Sequence, residues 1–122
     1  MKVILLILIG FSFAFANVVV DKKTALTWQD DNDAKSVQKD WDGAKSYCEE
    51  LALDGYSDWF LPSVEQLLTI TDKGRSNPSI KKEFSSVTSS RYWSSSLGVS
   101  GSKYAWHVYF YYGGSSSYGT KA

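Results

Sequence analysis

The chain has 122 residues, and its 13 lysines and arginines balance its 13 aspartates and glutamates, so the formal net charge at pH 7 is zero. A neutral chain has no electrostatic basis for binding DNA, RNA or an anionic membrane, and we expect none of these partners. Aromatic residues make up 16% of the sequence, a content that suits recognition surfaces as well as a small core.

The N-terminus has the pattern of a signal peptide. Lys2 supplies a positive charge, residues 3–15 form an apolar run, and residues 14–16 fit the small-x-small cleavage rule. The run is shorter than the roughly 20 residues that span a bilayer. We predict a signal peptide over residues 1–16 and an exported domain over residues 17–122 that has no membrane span after cleavage. An uncleaved N-terminal anchor is the alternative.

The first part of the exported domain is predicted to be a β-hairpin followed by a loop. Residues 17–20 and 25–29 are β-branched or aromatic runs that flank a polar turn at residues 21–24. Residues 30–39 are charged and turn-rich, which favours a loop. Three carboxylates lie in that loop: Asp30, Asp31 and Asp33. Because the central glycine and terminal glutamate of a calcium loop are missing, we interpret them as solvated loop acids.

Two helices are predicted in the middle of the chain. Asp40 is a favourable N-cap, and the apolar residues after it recur at helical spacing with Cys48 on the buried face. Gly55 suits the left-handed position just beyond the end of this helix. Ser63, followed three residues later by Gln66, forms a capping box that predicts the start of the second helix.

Strands are predicted again at residues 91–95, 104–112 and 115–120, after a long connection. Alternation along residues 104–112 places two sets of side chains on opposite faces. The more apolar face, with Trp106, Val108 and Phe110, is predicted to pack against the helices. The other face is predicted to meet solvent or ligand.

The candidate ligand-binding residues are this second face and two cations near the strands. They are Arg91, Lys103, His107, Tyr109 and Tyr111. Aromatic faces can stack on sugars, and cations can pair with acidic glycans. The alternative is a cross-strand aromatic ladder that only stabilises the sheet, beside ordinary solvated charges. The predicted structural core comprises Trp28, Trp41, Cys48, Trp59, Leu61, Trp93, Trp106, Val108 and Phe110.

Four segments of the chain together carry a family signature. They are Leu26-Thr27-Trp28-Gln29, Gly55-Tyr56-Ser57-Asp58-Trp59-Phe60-Leu61-Pro62-Ser63, Tyr92-Trp93-Ser94-Ser95-Ser96 and Tyr104-Ala105-Trp106-His107-Val108-Tyr109-Phe110. The second segment is the most specific, because nine ordered positions rarely recur by chance. The chain resembles, from about Val18 to Lys121, the Lcl C-terminal domain family, named for the C-terminal domain of the Legionella collagen-like adhesin.

The resemblance implies an α+β, C-type-lectin-like fold, in which two helices pack on a mainly antiparallel sheet with long irregular loops. It implies a surface binding module rather than an enzyme. In the family, the helix cysteine faces a second cysteine in a C-terminal strand reading like Val-Arg-Cys-Val. This chain ends at Thr120-Lys121-Ala122 before such a strand. We therefore expect the domain to lack its final strand, and Cys48 to form no internal disulfide.

The sequence contains no pattern that predicts catalysis or a cofactor. The single His107 has no metal-binding spacing such as His-Glu-x-x-His, and Cys48 lies on an apolar helix face. A Cys–His catalytic pair is the alternative. Formylglycine-generating enzymes, which the resemblance places among distant fold relatives, need paired active-site cysteines. This sequence has a single cysteine, which excludes that activity. The Glu-Pro-Asn and Gln-Pro-Asp tripeptides of calcium-dependent lectins are also absent, so we expect no metal ion or cofactor.

We interpret the chain as an adhesin-like ligand-binding module, exported to the periplasm, the cell surface or the medium. The expected ligand is a surface ligand such as a glycan or glycosaminoglycan, bound without calcium. One alternative is a structural or assembly protein that pairs, with itself or another chain, through the sheet edge left open by the missing strand. Another is a truncated fragment without function.

Export is testable by mass. Expression in a bacterial host should give a chain that begins at Asn17, because the signal peptidase would cleave after Ala16. Intact-mass analysis of the purified protein measures this start directly. Recovery of full-length, membrane-bound protein alone would contradict the prediction.

Overall fold

The computed structural model of the chain describes residues 6–8, 17–98 and 103–121. Its elements, in chain order, are β1 (Leu6–Leu8), β2 (Val18–Asp21), β3 (Leu26–Gln29), α1 (Asn32–Ser36), α2 (Trp41–Glu50), α3 (Val64–Leu68), β4 (Arg91–Leu97), β5 (Tyr104–Tyr109) and β6 (Gly114–Thr120). The strands form two antiparallel sheets, in the orders β1-β3-β2 and β4-β5-β6. The predicted α+β class is confirmed.

The predicted hairpin is formed by β2 and β3, with Val19 opposite Trp28. Asp21 holds the turn, because its carboxylate accepts hydrogen bonds from the Lys23 backbone N–H and the Thr24 hydroxyl, each at 3.1 Å. Such a carboxylate at the first position of a turn satisfies backbone donors that would otherwise face solvent.

The predicted signal peptide falls mostly outside the described residues, and so does its cleavage segment at residues 14–16. Leu6–Leu8 is described, and its backbone pairs antiparallel with β3, so that Leu6 lies opposite Trp28 and Leu8 opposite Leu26.

A helix replaces part of the loop predicted at residues 30–39. Helix α1 begins after Asp31, whose carboxylate accepts a hydrogen bond from the Ala34 N–H at 3.2 Å. Ala34 is buried, and its carbonyl oxygen accepts a hydrogen bond from the Tyr92 hydroxyl at 2.6 Å. The described residues therefore form three helices where two were predicted. This one depends on a contact 58 residues away, which local sequence does not indicate.

The two predicted helices are present with their predicted N-caps. Asp40 accepts a hydrogen bond from the Gly43 N–H at 2.8 Å at the start of α2. The capping box at α3 has both of its bonds, from the Gln66 N–H to the Ser63 hydroxyl and from the Ser63 N–H to the Gln66 side chain. The predicted role of Gly55 is wrong. Helix α2 already ends at Glu50, and Gly55, with φ +83°, lies in a separate tight turn.

Two apolar clusters cover opposite faces of the sheet β4-β5-β6, because neighbouring residues of a strand point in opposite directions. Tyr92 belongs to one and Trp93 to the other, and we name the clusters after them. The Tyr92 cluster consists of Leu26, Trp28, Val64, Leu67, Ile70, Ile80, Phe84, Val87, Tyr92, Val108 and Phe110. The Trp93 cluster consists of Val18, Trp41, Ala44, Cys48, Trp59, Leu61, Trp93 and Ala105. Both faces of the middle strand β5 are therefore largely covered: Ala105, His107 and Val108 are buried, and Tyr104, Trp106 and Tyr109 are half-buried.

The residues predicted as core lie in these clusters with one difference. Eight are buried: Trp28, Trp41, Cys48, Trp59, Leu61, Trp93, Val108 and Phe110. Trp106 is only half-buried and packs against the edge of the Tyr92 cluster.

The central family segment connects α2 and α3 to the edge of β4. Trp59 and Leu61 enter the Trp93 cluster, and the Pro62 carbonyl oxygen accepts a hydrogen bond from the Ser95 N–H at 2.7 Å. One residue further along β4, the Ser96 hydroxyl accepts a hydrogen bond from the first N–H of α3 at 2.9 Å. The bond from Ser95 occupies a backbone group that an edge strand otherwise leaves open, and the bond to Ser96 satisfies an N–H at the start of α3. No helix among the described residues has the length and apolarity needed to cross a membrane.

Replacement of Trp59 or Trp93 by Ala should lower the free energy of unfolding by about 3–5 kcal/mol, because each ring fills space in a buried cluster. Phe60, between them in the chain and 38% exposed, is the matched control. Its replacement by Ala should cost about 0.5 kcal/mol. Thermal and urea melts of the three variants test this. A Trp93→Ala protein that melted like the wild type would show that the Trp93 cluster does not hold the sheet.

Candidate ligand-binding surface

The strand β5 ends at Tyr109, and the chain then turns to enter β6. The Tyr109 carbonyl oxygen accepts hydrogen bonds from the Gly113 N–H at 2.8 Å and the Tyr112 N–H at 3.4 Å. Gly113 has φ +82°, a left-handed conformation that glycine adopts without strain. The strand alternation predicted across residues 104–112 therefore stops at Tyr109.

A neighbouring segment and the core hold this turn in place. The Ser79 N–H donates a hydrogen bond to the Phe110 carbonyl oxygen at 2.6 Å, and the Asn77 N–H donates one to the Tyr111 carbonyl oxygen at 3.0 Å. The Phe110 ring is fully buried and meets the Tyr92 ring edge-on, with 5.4 Å between centroids. These hydrogen bonds and the buried Phe110 ring hold the backbone at Tyr111 and Tyr112 in place, and both tyrosine side chains are exposed.

Four side chains form a continuous surface at this end of the sheet, and we call it the tyrosine patch: Arg91, Tyr109, Tyr111 and Tyr112. Arg91 lies opposite Tyr109 across β4 and β5, and its guanidinium carbon is 4.3 Å from the Tyr109 ring centroid. The Tyr109 ring lies 5.9 Å from that of Tyr111 at an interplanar angle of 31°, and 5.4 Å from that of Tyr112 at 81°. The half-buried Tyr109 joins the other three.

The exposure of the patch is unusual for aromatic residues. The side chains of Tyr111 and Tyr112 are 50% and 58% exposed, and Arg91 is also exposed. Gly114 makes the arrangement feasible, because a Cβ at that position would overlap the Tyr112 ring. Adjacent flat rings with a guanidinium beside them provide stacking faces, hydroxyl groups and a fork of donors for a carboxylate or sulfate.

His107 does not belong to this surface, contrary to the sequence interpretation. Its side chain is 7% exposed and lies opposite Trp93 on the face that the Trp93 cluster covers. The prediction assumed that one face of the sheet meets solvent, whereas α2 packs on that face. Burial lowers the pKa of His107, and the charge of Arg91 lowers it further. Its Nδ1 has no hydrogen-bond partner among the described residues.

Lys103 is exposed but lies at the other end of β5. It precedes Tyr104, the first residue of the strand, whereas Arg91 pairs with Tyr109, the last. At about 3.4 Å per residue, the two positions are separated by roughly the length of the strand. The structure therefore brings Arg91, Tyr109 and Tyr111 together and leaves His107 and Lys103 out.

Sequence reasoning missed Tyr112 as a surface residue and Lys73 as its neighbour. The alternation predicted along residues 104–112 places Tyr112 on the same face as Trp106, Val108 and Phe110, because it continues the strand through the turn. The pair Gly113-Gly114 was the available signal that the strand ends earlier. The Lys73 side chain lies beside Gly113, in contact range of the space that a Cβ there would fill. Its position follows from tertiary packing alone.

The acids interpreted as solvated are structural. Asp30 is 5% exposed, and its carboxylate accepts hydrogen bonds from the backbone N–H groups of Ser85 and Ser86 and from the Ser85 hydroxyl, at 2.8 to 3.2 Å. Asp31 caps α1, and Asp33 accepts a hydrogen bond from the Tyr47 hydroxyl at 2.8 Å. Within the described parts of the chain, no group of three or more His, Cys, Asp or Glu side chains is arranged to hold a metal ion.

Cys48 is 1% exposed on the buried face of α2. Burial raises the pKa of its thiol, and the charge of Glu49 raises it further. A thiol with a raised pKa is protonated at neutral pH and is a poor nucleophile and metal ligand.

The chain matches one family model, described as the Lcl C-terminal domain, over residues 17–122. The match includes all elements from β2 to β6 and the whole tyrosine patch. Comparison with curated proteins and with solved structures gave no match.

The burial of His107 predicts a pH dependence of stability. The unfolded chain takes up a proton on His107 near pH 6.5, whereas the lowered pKa keeps the folded histidine neutral. Stability is therefore full above pH 6.5 and falls as the pH drops below that value, until the pH reaches the lowered pKa of the folded state. His107 is the only histidine in the sequence, so His107→Gln should flatten the stability profile in the range just below about pH 6.5. Urea melts across this range measure the slope, and an unchanged slope in the variant would contradict the assignment.

Proposed function

The chain belongs to the Lcl C-terminal domain family, and on that premise we propose that it is an adhesin-type module that binds a ligand through the tyrosine patch. The exposure of Tyr111 and Tyr112 beside Arg91 is the observation that carries the proposal. Large exposed aromatic groups are costly to leave in water and mark interaction sites when they are contiguous. Tyrosine and arginine are also enriched among the residues that dominate binding energies.

The chemistry of the patch favours a glycan as the ligand. A pyranose ring has an apolar face that stacks on a tyrosine ring, and its hydroxyls can bond the tyrosine hydroxyls. The Arg91 guanidinium, stacked on Tyr109, keeps donors for an anionic group on the sugar. An acidic glycan, such as a glycosaminoglycan fragment, uses both features, and the exposed Lys73, whose side chain lies beside Gly113 in the same turn, carries a second positive charge. Recognition of this kind needs no calcium ion.

The proposal includes a C-type-lectin-like arrangement and export. Long irregular segments between α3 and β4 and a small antiparallel sheet that carries the binding residues are the features that support the lectin-like arrangement. Export is supported by the predicted signal peptide and by the family match, which begins at residue 17, the predicted first residue of the mature chain.

The proposed module binds without catalysis. The patch consists of tyrosines and an arginine, which lack a nucleophile or general base with an activating partner. Cys48 and His107, the two residue types most often used for such chemistry, are both buried in the core. Their burial supports structural roles for them.

A second candidate function is assembly through a sheet edge. Strand β6 is the outermost strand of the sheet β4-β5-β6 and pairs only on its β5 side among the described strands. Exposed edges can pair with a strand of another chain. Sedimentation analysis tests this, since assembly predicts a concentration-dependent dimer, whereas the binding proposal is satisfied by a monomer.

Replacement of Tyr111 or Tyr112 by Ala should weaken binding to a glycosaminoglycan fragment by about 2 kcal/mol, roughly thirtyfold, because a stacked aromatic contact is lost. The melting temperature should hardly change, since surface substitutions alter stability by about 0.5 kcal/mol. Titration calorimetry and thermal melts on the same variants measure both quantities. Addition of a chelator should leave the affinity unchanged.

A charge-matched pair supplies the control. Arg91→Gln should weaken binding, whereas Lys103→Gln, which removes another exposed charge at the other end of β5, should not. Variants of Tyr111 and Tyr112 that lost stability but kept their affinity would contradict the proposal and indicate an aromatic cluster that only supports the turn.

A further inference from the structure

A separate cavity of about 350 Å³ lies between the hairpin and the turn at residues 81–84. Cavities of about 300–1,000 Å³ are typical of small-molecule sites. Its apolar lining comes from Val19, Val20 and Phe84. Phe84 is buried and meets the Trp28 ring edge-on at 6.5 Å, so this wall is fixed by the Tyr92 cluster. The cavity shares no residue with the tyrosine patch.

The charged residues that line the cavity differ in how far they are paired within the chain. Asp21 is fully used within the chain, because it accepts hydrogen bonds from the Lys23 N–H and the Thr24 hydroxyl and forms a salt bridge with Lys81 at 3.4 Å. Burial acts to raise the pKa of Asp21, and these three donors together outweigh it and hold the pKa below its usual range. Lys81 is correspondingly committed to Asp21.

Lys22 and Lys23 also line the cavity, and both residues are exposed. The remaining charged lining residue is the exposed acid Glu83. Besides the paired Asp21 and Lys81, two lysines and one carboxylate line the cavity, which gives it an excess of positive charge beside its apolar lining. Since like charges repel and an apolar lining excludes strongly hydrated ligands, the cavity suits an anion with an apolar body.

We propose that this cavity is a second ligand site, which binds a small organic anion such as an aromatic carboxylate. The ring packs against Phe84 and the Val19–Val20 segment of the hairpin, and the carboxylate faces Lys22 and Lys23. The site is independent of the tyrosine patch, so the two can be occupied at once.

The test uses benzoate as the probe, with benzamide and benzylamine as neutral and cationic molecules of the same ring. Backbone amide chemical shifts of the isotopically labelled protein are followed during each titration. Benzoate should shift amides of residues 19–23 and 81–84, benzamide should bind more weakly at the same amides, and benzylamine should not shift them. Tyr111→Ala should leave the benzoate titration unchanged, which separates this site from the proposed glycan surface.

Matched lysine variants complete the experiment. The double variant Lys22→Gln and Lys23→Gln should weaken benzoate binding at least about threefold, given the energies of exposed ion pairs. Lys82→Gln removes an exposed charge that does not line the cavity and should have no effect. The proposal is overturned if benzoate produces no localised shifts, if benzylamine binds as well, or if Lys82→Gln weakens binding as much as the double variant.

Discussion

The opposite orientation of Tyr92 and Trp93 on β4 is the constraint on which the rest of the structure depends. Each ring anchors one of the two apolar clusters, and each also forms a long-range hydrogen bond. The Tyr92 hydroxyl donates to the Ala34 carbonyl oxygen at 2.6 Å, and the Trp93 indole donates to the Lys39 carbonyl oxygen at 3.0 Å. Two adjacent residues of β4 thus bond to α1 and to the residue that precedes the N-cap of α2. Each also belongs to the apolar cluster on its own face of the sheet.

Because apolar clusters cover both faces of the sheet β4-β5-β6, they limit which of its side chains can reach solvent. In the middle of β5, Ala105 and Val108 belong to the two clusters, and His107 is buried on the face that the Trp93 cluster covers. The more exposed tyrosines of this sheet that the structure describes, Tyr111 and Tyr112, follow the end of the strand, where the chain turns. At this turn the Phe110 ring packs against Tyr92 in the core, whereas the side chains of Tyr111 and Tyr112 are exposed to solvent. The tyrosine patch is therefore a consequence of the turn, and the buried core beneath it holds the turn in place.

The parts of the fold that sequence predicts are those with local signals. The capping box at Ser63, the N-cap at Asp40 and the hairpin turn at Asp21 each depend on side chains within three residues of the backbone groups they bind. The burial of Asp30 depends on a segment about 55 residues away in the sequence. The burial of His107 depends on the placement of α2 against the sheet. Period-two alternation distinguishes two faces of a strand but cannot tell whether the second face is covered.

The most direct test of this account is a map of the ligand contact surface by amide chemical shifts, with a sulfated glycosaminoglycan fragment as the ligand. The account predicts the largest changes at Arg91 and at residues 109–112, with the amides around Lys103 unaffected. Changes centred on Lys103, or spread along β5 through His107 rather than at the turn, would contradict it.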